Sequence, residues 1–301
     1  MAARRNSNRD EAVATPPRLT SPERVVYPGK GITKREVADY YRAVADRVLA
    51  DVGGRPLSLL RCPGGVDGKC FFQKHHARAL GGAVRAIPLR EKDGDDACYV
   101  AIDSVEGLLE LVQMNTLELH PWGSMAHDLE RPDRLVFDLD PGPGVDWKAV
   151  TAAARDVRRR LAAMGLQGFA RLSGGKGVHV VVPIRPGPSW DDARGFCQAL
   201  ADAMARERPD RYVATASKAK RDGVIFIDWL RNARGQTSVS SWSLRARASA
   251  GVAIPVRWEE LGRVGAGDAY DLRRALRRAS ALRGEEWPGW QDACDQTLPR
   301  N

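Results

Sequence analysis

The sequence predicts an α+β fold built on a mixed sheet. Apolar runs of strand length and helical stripes lie side by side without a strict βαβ rhythm. The most regular stretch, residues 134–207, reads strand, helix, strand, strand, helix, and the chain returns to strands after Arg208-Pro209. At 301 residues, with 43% hydrophobic and 28% charged residues, the chain can bury a large core in one domain or two lobes.

The elements follow in order. Residues 1–20 are polar, mixed in charge and carry Pro16-Pro17, which reads as a disordered tail or a linker. Thr33 and Glu36 form a capping-box signature before a helix with Val37, Tyr40, Val44 and Val48 on one face. A strand at 57–60, a Gly-rich loop around 64–68, a strand near 97–102, a helix after Ser104 and a short strand at 117–120 come next. Beyond the strand at 134–140, Val150, Ala154, Val157, Leu161 and Met164 step by three and four along a helix that stops before Gly165. Strands at 168–172 and 178–184 lead to a helix that Ser189 caps, with Asp192 in the box position. Asp222-Gly223 turns the chain into VIFID, and residues 237–246 are a further strand candidate. No internal repeat is visible.

Lys and Arg total 47 against 38 Asp and Glu, a formal charge of +9, and much of the excess is arginine. Guanidinium forks suit phosphate oxygens, so a polyanionic partner is expected. No apolar stretch has the length of a membrane span and the N-terminus has no apolar signal core, so neither insertion nor secretion is expected. Cys62, Cys70, Cys98, Cys197 and Cys294 are odd in number and form no CxxC pair, for which a reduced, cytosolic chain is the simplest expectation. A zinc site from Cys62, Cys70, His75 and His76 is an alternative whose spacing matches no common ligand pattern.

Three stretches carry chemistry. In RLVFDLDPGPG, residues 134–144, Asp138 and Asp140 share one face of a strand with their Cα atoms ~6.6 Å apart, two residues of rise, within reach of one cation. The plainer reading is a turn before Pro141-Gly142 with one acid in solvent. In RLSGGKGVHVVVPI, residues 171–184, a glycine loop opens into a β-branched strand, so that backbone N–H groups, Ser173 and Lys176 can close on an anion, with His179 next along the strand. It is not a Walker A loop, because a strand follows where a helix should. In GVIFIDWLRNARGQTSVSSWSLRAR, residues 223–247, Asp228 ends an apolar strand as Asp138 does, and Arg231, Arg234, Arg245 and Arg247 follow. Arg245 and Arg247 alternate with Leu244 and Ala246, so an extended segment there would present both guanidiniums on one face, to a triphosphate or simply to solvent. Three carboxylates, a Gly-Lys loop and paired arginines together suit nucleotidyl transfer assisted by two divalent ions. Oxygen donors favour Mg²⁺ or Mn²⁺ over zinc.

FDLDPG, SGGKGVHV and FIDWLRN, in that order, resemble the three motifs of the archaeo-eukaryotic primase superfamily, and most of all the polymerase domain of bacterial ATP-dependent DNA ligase D. RVVYPGKGITKREVADYY, GGVDGKCFFQKH, LELHPWG and SWSLRARASAGVAIPVRWEEL extend the resemblance over about residues 21–261. It implies a primase-polymerase fold, with an RRM-like catalytic core of mixed sheet flanked by helices and a second, N-terminal sheet subdomain. One catalytic domain would span 21–300, with DNA-end and template contacts in 21–130, the catalytic core in 131–261 and a helical extension in 262–301. The resemblance implies Asp138, Asp140 and Asp228 as catalytic metal ligands, and Ser173, Lys176 and His179 as triphosphate ligands. It places His120, Arg231, Arg245 and Arg247 around the incoming nucleotide, and Phe71 and Phe72 against the template and the nucleotide base. Arg24 and Lys34 would hold a downstream 5′-phosphate.

The activity so implied is a DNA-dependent polymerase of non-homologous end joining that extends primers and fills short gaps. It would use two Mn²⁺ or Mg²⁺ ions and NTP or dNTP substrates, prefer ribonucleotides, and add untemplated nucleotides. Its partners would be primer-template DNA, 5′-phosphorylated gapped or broken ends, Ku, and ligase and phosphoesterase domains of a parent chain, in the bacterial nucleoid. The alternatives are a primase of the same superfamily, a catalytically silent DNA-end binder, and a haloacid-dehalogenase-type phosphatase. The last expects Gly-Thr or Gly-Val after the second Asp, whereas Pro141-Gly142 stands here.

Overall fold

The computed structural model describes residues 18–76, 80–91 and 94–299, so most of the segment read as a tail lies outside the described residues. Strands β1 (Val25–Tyr27) and β2 (Ile32–Thr33) form a two-stranded ribbon. The Thr33 hydroxyl accepts the Glu36 N–H, and the Glu36 carboxylate accepts the Thr33 N–H, which starts α1 (Lys34–Ala43) as the sequence predicts. The helical run breaks at Val44 and resumes as α2 (Ala45–Val52). Val37, Tyr40, Val44 and Val48 remain buried across the break, so the apolar stripe survives it.

An N-terminal sheet follows: β3 (Leu57–Arg61), β4 (Phe71–Gln73), β5 (Arg85–Arg90), β6 (Asp96–Ala101) and, after α3 (Val105–Gln113), β7 (Thr116–Pro121). Strand β3 pairs with β7 along one edge and with β4 and β6 along the other. The β3–β4 register sets Arg61 against Phe71, so the next residues outward, Cys62 and Cys70, face each other with Cα atoms 4.3 Å apart and form a disulfide. The expectation of a fully reduced chain fails at this pair, while Cys98, Cys197 and Cys294 are free. The zinc alternative fails with it. His75 turns to Glu91 and His76 to the Val84 carbonyl.

The second sheet is built from β8 (Arg134–Pro141), then α4 (Trp147–Ala163), β9 (Phe169–Leu172), β10 (Val178–Pro183), α5 (Trp190–Glu207), β11 (Tyr212–Val213), β12 (Ile225–Asp228) and β13 (Ile254–Val256). Its order is β11-β12-β8-β10-β9-β13, and only the β11–β12 pair is parallel. Leu135, Phe137 and Leu139 are fully buried. Helix α4 packs on β8 and β10 through Val150, Ala154, Val157 and Leu161. Met164 is exposed, because the helix stops at Ala163 and carries this residue past the core. Helices α6 (Trp258–Leu261), α7 (Leu272–Ala281) and α8 (Trp290–Ala293) complete the chain. Trp287 stacks on Trp290 at 4.8 Å and both pack on Phe169. Among the described residues no helix is long and apolar enough to cross a membrane.

Residues 237–246 are not a strand. Trp242 has φ +63°, and the backbone donors of the segment are taken one by one: Ser240 N–H by the Leu119 carbonyl, Ser241 N–H by Asp51, Leu244 N–H by the Tyr41 hydroxyl and Ala246 N–H by Glu118. The Tyr27 and Tyr40 hydroxyls donate to the Arg245 and Trp242 carbonyls. The segment is therefore a lacing between the two sheets, and strand alternation does not govern Arg245 and Arg247.

Asp51, at the end of α2, is the ionic centre of that lacing. Its carboxylate accepts from the Ser241 amide at 2.6 Å, from Arg171 at 3.2 Å and from Arg134. Burial works against its charge, but the two guanidiniums outweigh it and hold the carboxyl well below the usual range. Asp51→Ala would leave buried Arg171 without its carboxylate and Arg134 with only Asp133 at 3.6 Å, and should lower the unfolding free energy by about 3–5 kcal/mol. Urea denaturation checks this, with Arg35→Ala, which breaks only an exposed pair with Glu23, leaving the midpoint unmoved.

Candidate active site

Strand register assembles the acids. Strand β8 runs between β10 and β12, and Asp138 lies directly across from His179 on one side and from Asp228 on the other. Directly opposed residues point to the same face, so these three side chains form a row, with Asp140 two residues further along β8. Asp138, Asp140 and Asp228 each offer a carboxylate oxygen, all within 4.8 Å of one another. No other group of three such metal ligands occurs among the described residues.

The chain turns sharply beyond each acid. Gly142 follows Asp140 and Pro141, and a Cβ there would meet the Arg221 carbonyl oxygen at 1.5 Å, so glycine is required. The Asp228 carboxylate accepts the Leu230 N–H at 3.0 Å. Asn232 then clamps this turn to β8, accepting the Val136 N–H at 2.7 Å and donating to the Val136 carbonyl at 2.8 Å.

Crowding of like charge shows in the protonation of the acids. Burial together with Asp138 and Asp228 pushes the Asp140 carboxyl up to about 7. Burial also raises Asp228, against the pull of Arg231, whose Nε lies 3.1 Å from its carboxylate. Asp138 is shifted the other way: burial opposes its charge, but His179 at 3.3 Å and Arg231 at 3.8 Å hold it below the usual carboxylate range. Three acids sharing one patch, two of them raised by burial and like charge, form a hard-oxygen donor set that a divalent cation would satisfy. The residues present therefore fit a magnesium-type ion.

A cavity of about 590 Å³ opens beside Asp138, the size of a ligand pocket. Phe72, His120, Asp138, His179, Arg231, Arg245 and Arg247 line it. The structure thus brings together most of the nucleotide-site residues the sequence points to. Phe72 is 59% exposed and meets the His120 ring edge-on at 5.4 Å. Phe71 is 41% exposed on the opposite face of β4, with Arg61 over its ring. Arg234 lies apart, paired with Glu130 and bonded to the Arg90 carbonyl.

The glycine loop differs from the expected N–H cradle. Ser173 Oγ accepts the Gly175 and Gly177 N–H groups at 3.2 and 3.1 Å, and the Gly174 N–H donates to the Gly267 carbonyl. These amides are spent on shaping the loop, which leaves Lys176 exposed as its charged tip. Arg247 lies over Gly175, where a Cβ would stand 3.3 Å from the guanidinium carbon. Arg245 donates to the Ser173 carbonyl at 2.5 Å and so ties the loop to the cavity wall.

Glu118 was not singled out by sequence reasoning, although it shares the strand face of His120 two residues on. It is buried on β7 and joins His120 at 2.8 Å, Arg245 at 3.0 Å and the Ala246 amide at 2.8 Å. Burial opposes its charge, yet these partners bring the carboxyl down to about 2. Burial lowers His120, leaving a neutral ring.

Arg24 and Lys34 lie together, away from the cavity lining. Arg24 donates to the Pro63 carbonyl and to Asn115. Lys34 is buried and spends its three donors on the Thr20 carbonyl, the Gln113 carbonyl and Gln113 Oε1. A phosphate reaching Lys34 would have to replace one of these acceptors.

A family model, the LigD primase-polymerase domain, matches residues 33–287. The multifunctional non-homologous end joining protein LigD of Pseudomonas aeruginosa is 38% identical over 276 residues, 91% of this chain but 32% of that protein. The bifunctional non-homologous end joining protein LigD of Bacillus subtilis is 26% identical over 245 residues, 81% of this chain and 39% of that protein. This chain spans about a third of the length of these curated relatives. Among solved structures, the polymerase domain from Mycobacterium tuberculosis ligase D, in complex with DNA, is similar with a TM-score of 0.82 at 30% identity, covering 93% of this chain and 99% of that one. The α+β fold with two principal sheets is thus a known one, and the chain belongs to the LigD primase-polymerase family, a polymerase domain of the LigD type and an enzyme of the nucleotidyltransferase class.

Proposed function

We propose that this domain extends primer strands and fills short gaps at broken DNA ends in non-homologous end joining. The observation that carries this reading is the three carboxylates within 4.8 Å of one another, of which Asp138 lines a cavity walled by arginines, histidines and one exposed phenylalanine. Asp138, Asp140 and Asp228 would hold two divalent ions, Mn²⁺ or Mg²⁺. Such ions, when bound, polarise the attacking 3′-hydroxyl and neutralise the departing pyrophosphate. Lys176, Arg245 and Arg247 would bind the triphosphate of the incoming NTP or dNTP, with Ser173 shaping the loop that presents Lys176. Arg231, His120 and His179 line the approach, and neutral imidazoles there can donate a hydrogen bond without adding charge. Phe72 would stack on a base at the cavity rim, and Phe71 on the template.

Ribonucleotide preference, untemplated addition and cooperation with Ku and with ligase and phosphoesterase domains belong to the same proposal. Family membership supports them. A primase of this superfamily remains the second reading, and it requires synthesis on an unprimed template.

Extension of a labelled primer-template with Mn²⁺ and single ribonucleotides tests the proposal. Asp138→Ala or Asp228→Asn should cut extension by roughly 10²-fold or more, the scale of losing a charge-stabilising group; undiminished extension would remove the metal role. Phe72→Ala should raise KM for the templated nucleotide about 5- to 150-fold, from ~1–3 kcal/mol of lost stacking, with little change in kcat.

Arg24 and Lys34 are proposed to bind the downstream 5′-phosphate. Burial and the neighbouring Arg24 lower Lys34 to about 8. A charged ammonium is needed to hold phosphate, so the preference for phosphorylated over unphosphorylated ends should be full near pH 7 and fade as pH rises through 8 towards 9. Fluorescence anisotropy with the two kinds of end measures it, and Arg24→Gln with Lys34→Gln should abolish the preference while primer extension on simple templates persists.

A further inference from the structure

The row of polar side chains does not end at His179. Strand β9 lies on the far side of β10, and its Arg171 is directly opposite His179, so Asp228, Asp138, His179 and Arg171 cross four neighbouring strands on one face. Arg171 is 1% exposed, among the largest fully buried side chains in the protein. Its Nη2 lies 2.9 Å and its Nε 3.3 Å from His179 Nδ1. A guanidinium has five N–H donors and no acceptor, so Nδ1 must supply the lone pair. The proton of the neutral ring is thereby placed on Nε2, which faces Asp138 Oδ1 at 3.3 Å.

Arg171 is itself held from outside the sheet. Asp51 of α2 accepts from Nη1 at 3.2 Å, and the Ser241 and Ser238 hydroxyls accept from Nη1 and Nη2 at 3.4 Å. The same Asp51 oxygen accepts the Ser241 amide, and the other takes Arg134. The guanidinium therefore has one low-energy orientation, and it aims at Nδ1.

We propose that Asp51 and Arg171 are positioning residues for nucleotidyl transfer: together they fix the tautomer and ring plane of His179, and through its Nε2–H the orientation of the Asp138 carboxylate. Nothing in the family resemblance assigns either residue, and the role rests on the polymerase reading above. A buried arginine with a buried aspartate could otherwise serve only to hold α2 against the sheet. The two roles differ in what they do to the imidazole. A structural pair moves stability alone, whereas a positioning pair moves the tautomer and the turnover with it.

The test is a long-range ¹H–¹⁵N spectrum of the ring nitrogens, which five histidines make tractable, with His179 assigned by its loss in His179→Gln. The wild type should show Nδ1 unprotonated and Nε2 protonated. Arg171→Met should give a mixture of tautomers and lower kcat for primer extension about 10- to 100-fold, with KM for the primer nearly unchanged. Arg171→Lys keeps the buried charge and the reach to Asp51 but not the fork, and should fall between the two in both readouts. A proton on Nδ1 in the wild type would overturn the proposal. So would a variant that loses thermal stability yet keeps the wild-type tautomer and kcat, and if Arg171→Met does not fold, the lysine variant decides by the same criterion. A wild type without primer extension would instead remove the polymerase reading, and the tautomer would still report on the relay.

Discussion

The site depends on the register of β8 between its two antiparallel neighbours. Asp138 meets His179 on one side and Asp228 on the other only when β10 and β12 are both in their observed pairing. A slip of one residue on β12 would turn Asp228 into the apolar layer and bring Ile227 to the acids. Ile225 and Ile227, both buried, make such a slip costly, because they would leave the layer they share with Leu135, Phe137 and Leu139 of β8 for the face of the acids. The hydrophobic core thus fixes the arrangement of the acids from beneath, with no separate scaffold.

Charge is arranged around that register in two shells of opposite character. The acids are crowded enough that Asp140 is driven up to about 7, and the cations are kept at a distance or already engaged. Arg231 is near two of the acids, while Arg245 is tied to Glu118 and the Ser173 carbonyl. Glu118 keeps Arg245 and His120 in place without adding a fourth acid to the aspartate patch, since its own carboxylate is fully committed to three donors. The basic balance of the chain and its acidic centre are therefore parts of one electrostatic design.

Much of this was legible from residue order, and the exceptions share a cause. Helix caps at Thr33 and Ser189, the strand ends at Asp138 and Asp228 and the α4 stripe follow from local rules acting within a few residues. The segment 237–246 has alternation suited to a strand, yet its amides are claimed by Asp51, Tyr41, Glu118 and Leu119, all far away in sequence. The glycine loop looked open to an anion, but Gly267 closes it from a part of the chain beyond every motif. Cys62 and Cys70 read as free thiols until the β3–β4 pairing sets them face to face. Arg171 lies two residues before the SGGKGVHV motif and gave no signal, because its meaning lies in the cross-strand neighbour and in a helix more than a hundred residues earlier. Local propensity is legible in one dimension, whereas a hydrogen-bond partner is not.

Gly267 also extends the support of the candidate site beyond the motifs. The last recognisable motif residue near the pocket is Arg247, but the Gly174 amide donates to the Gly267 carbonyl, and a Cβ on Gly267 would lie 2.6–2.7 Å from the carbonyl oxygens of Gly177 and Gly175. The glycine there is a matter of clearance, since any side chain would lift the Lys176 loop from its seat. Chain well past Arg247 in sequence consequently lies behind the Lys176 loop in space, and the segment before α7 is the surface on which that loop is seated.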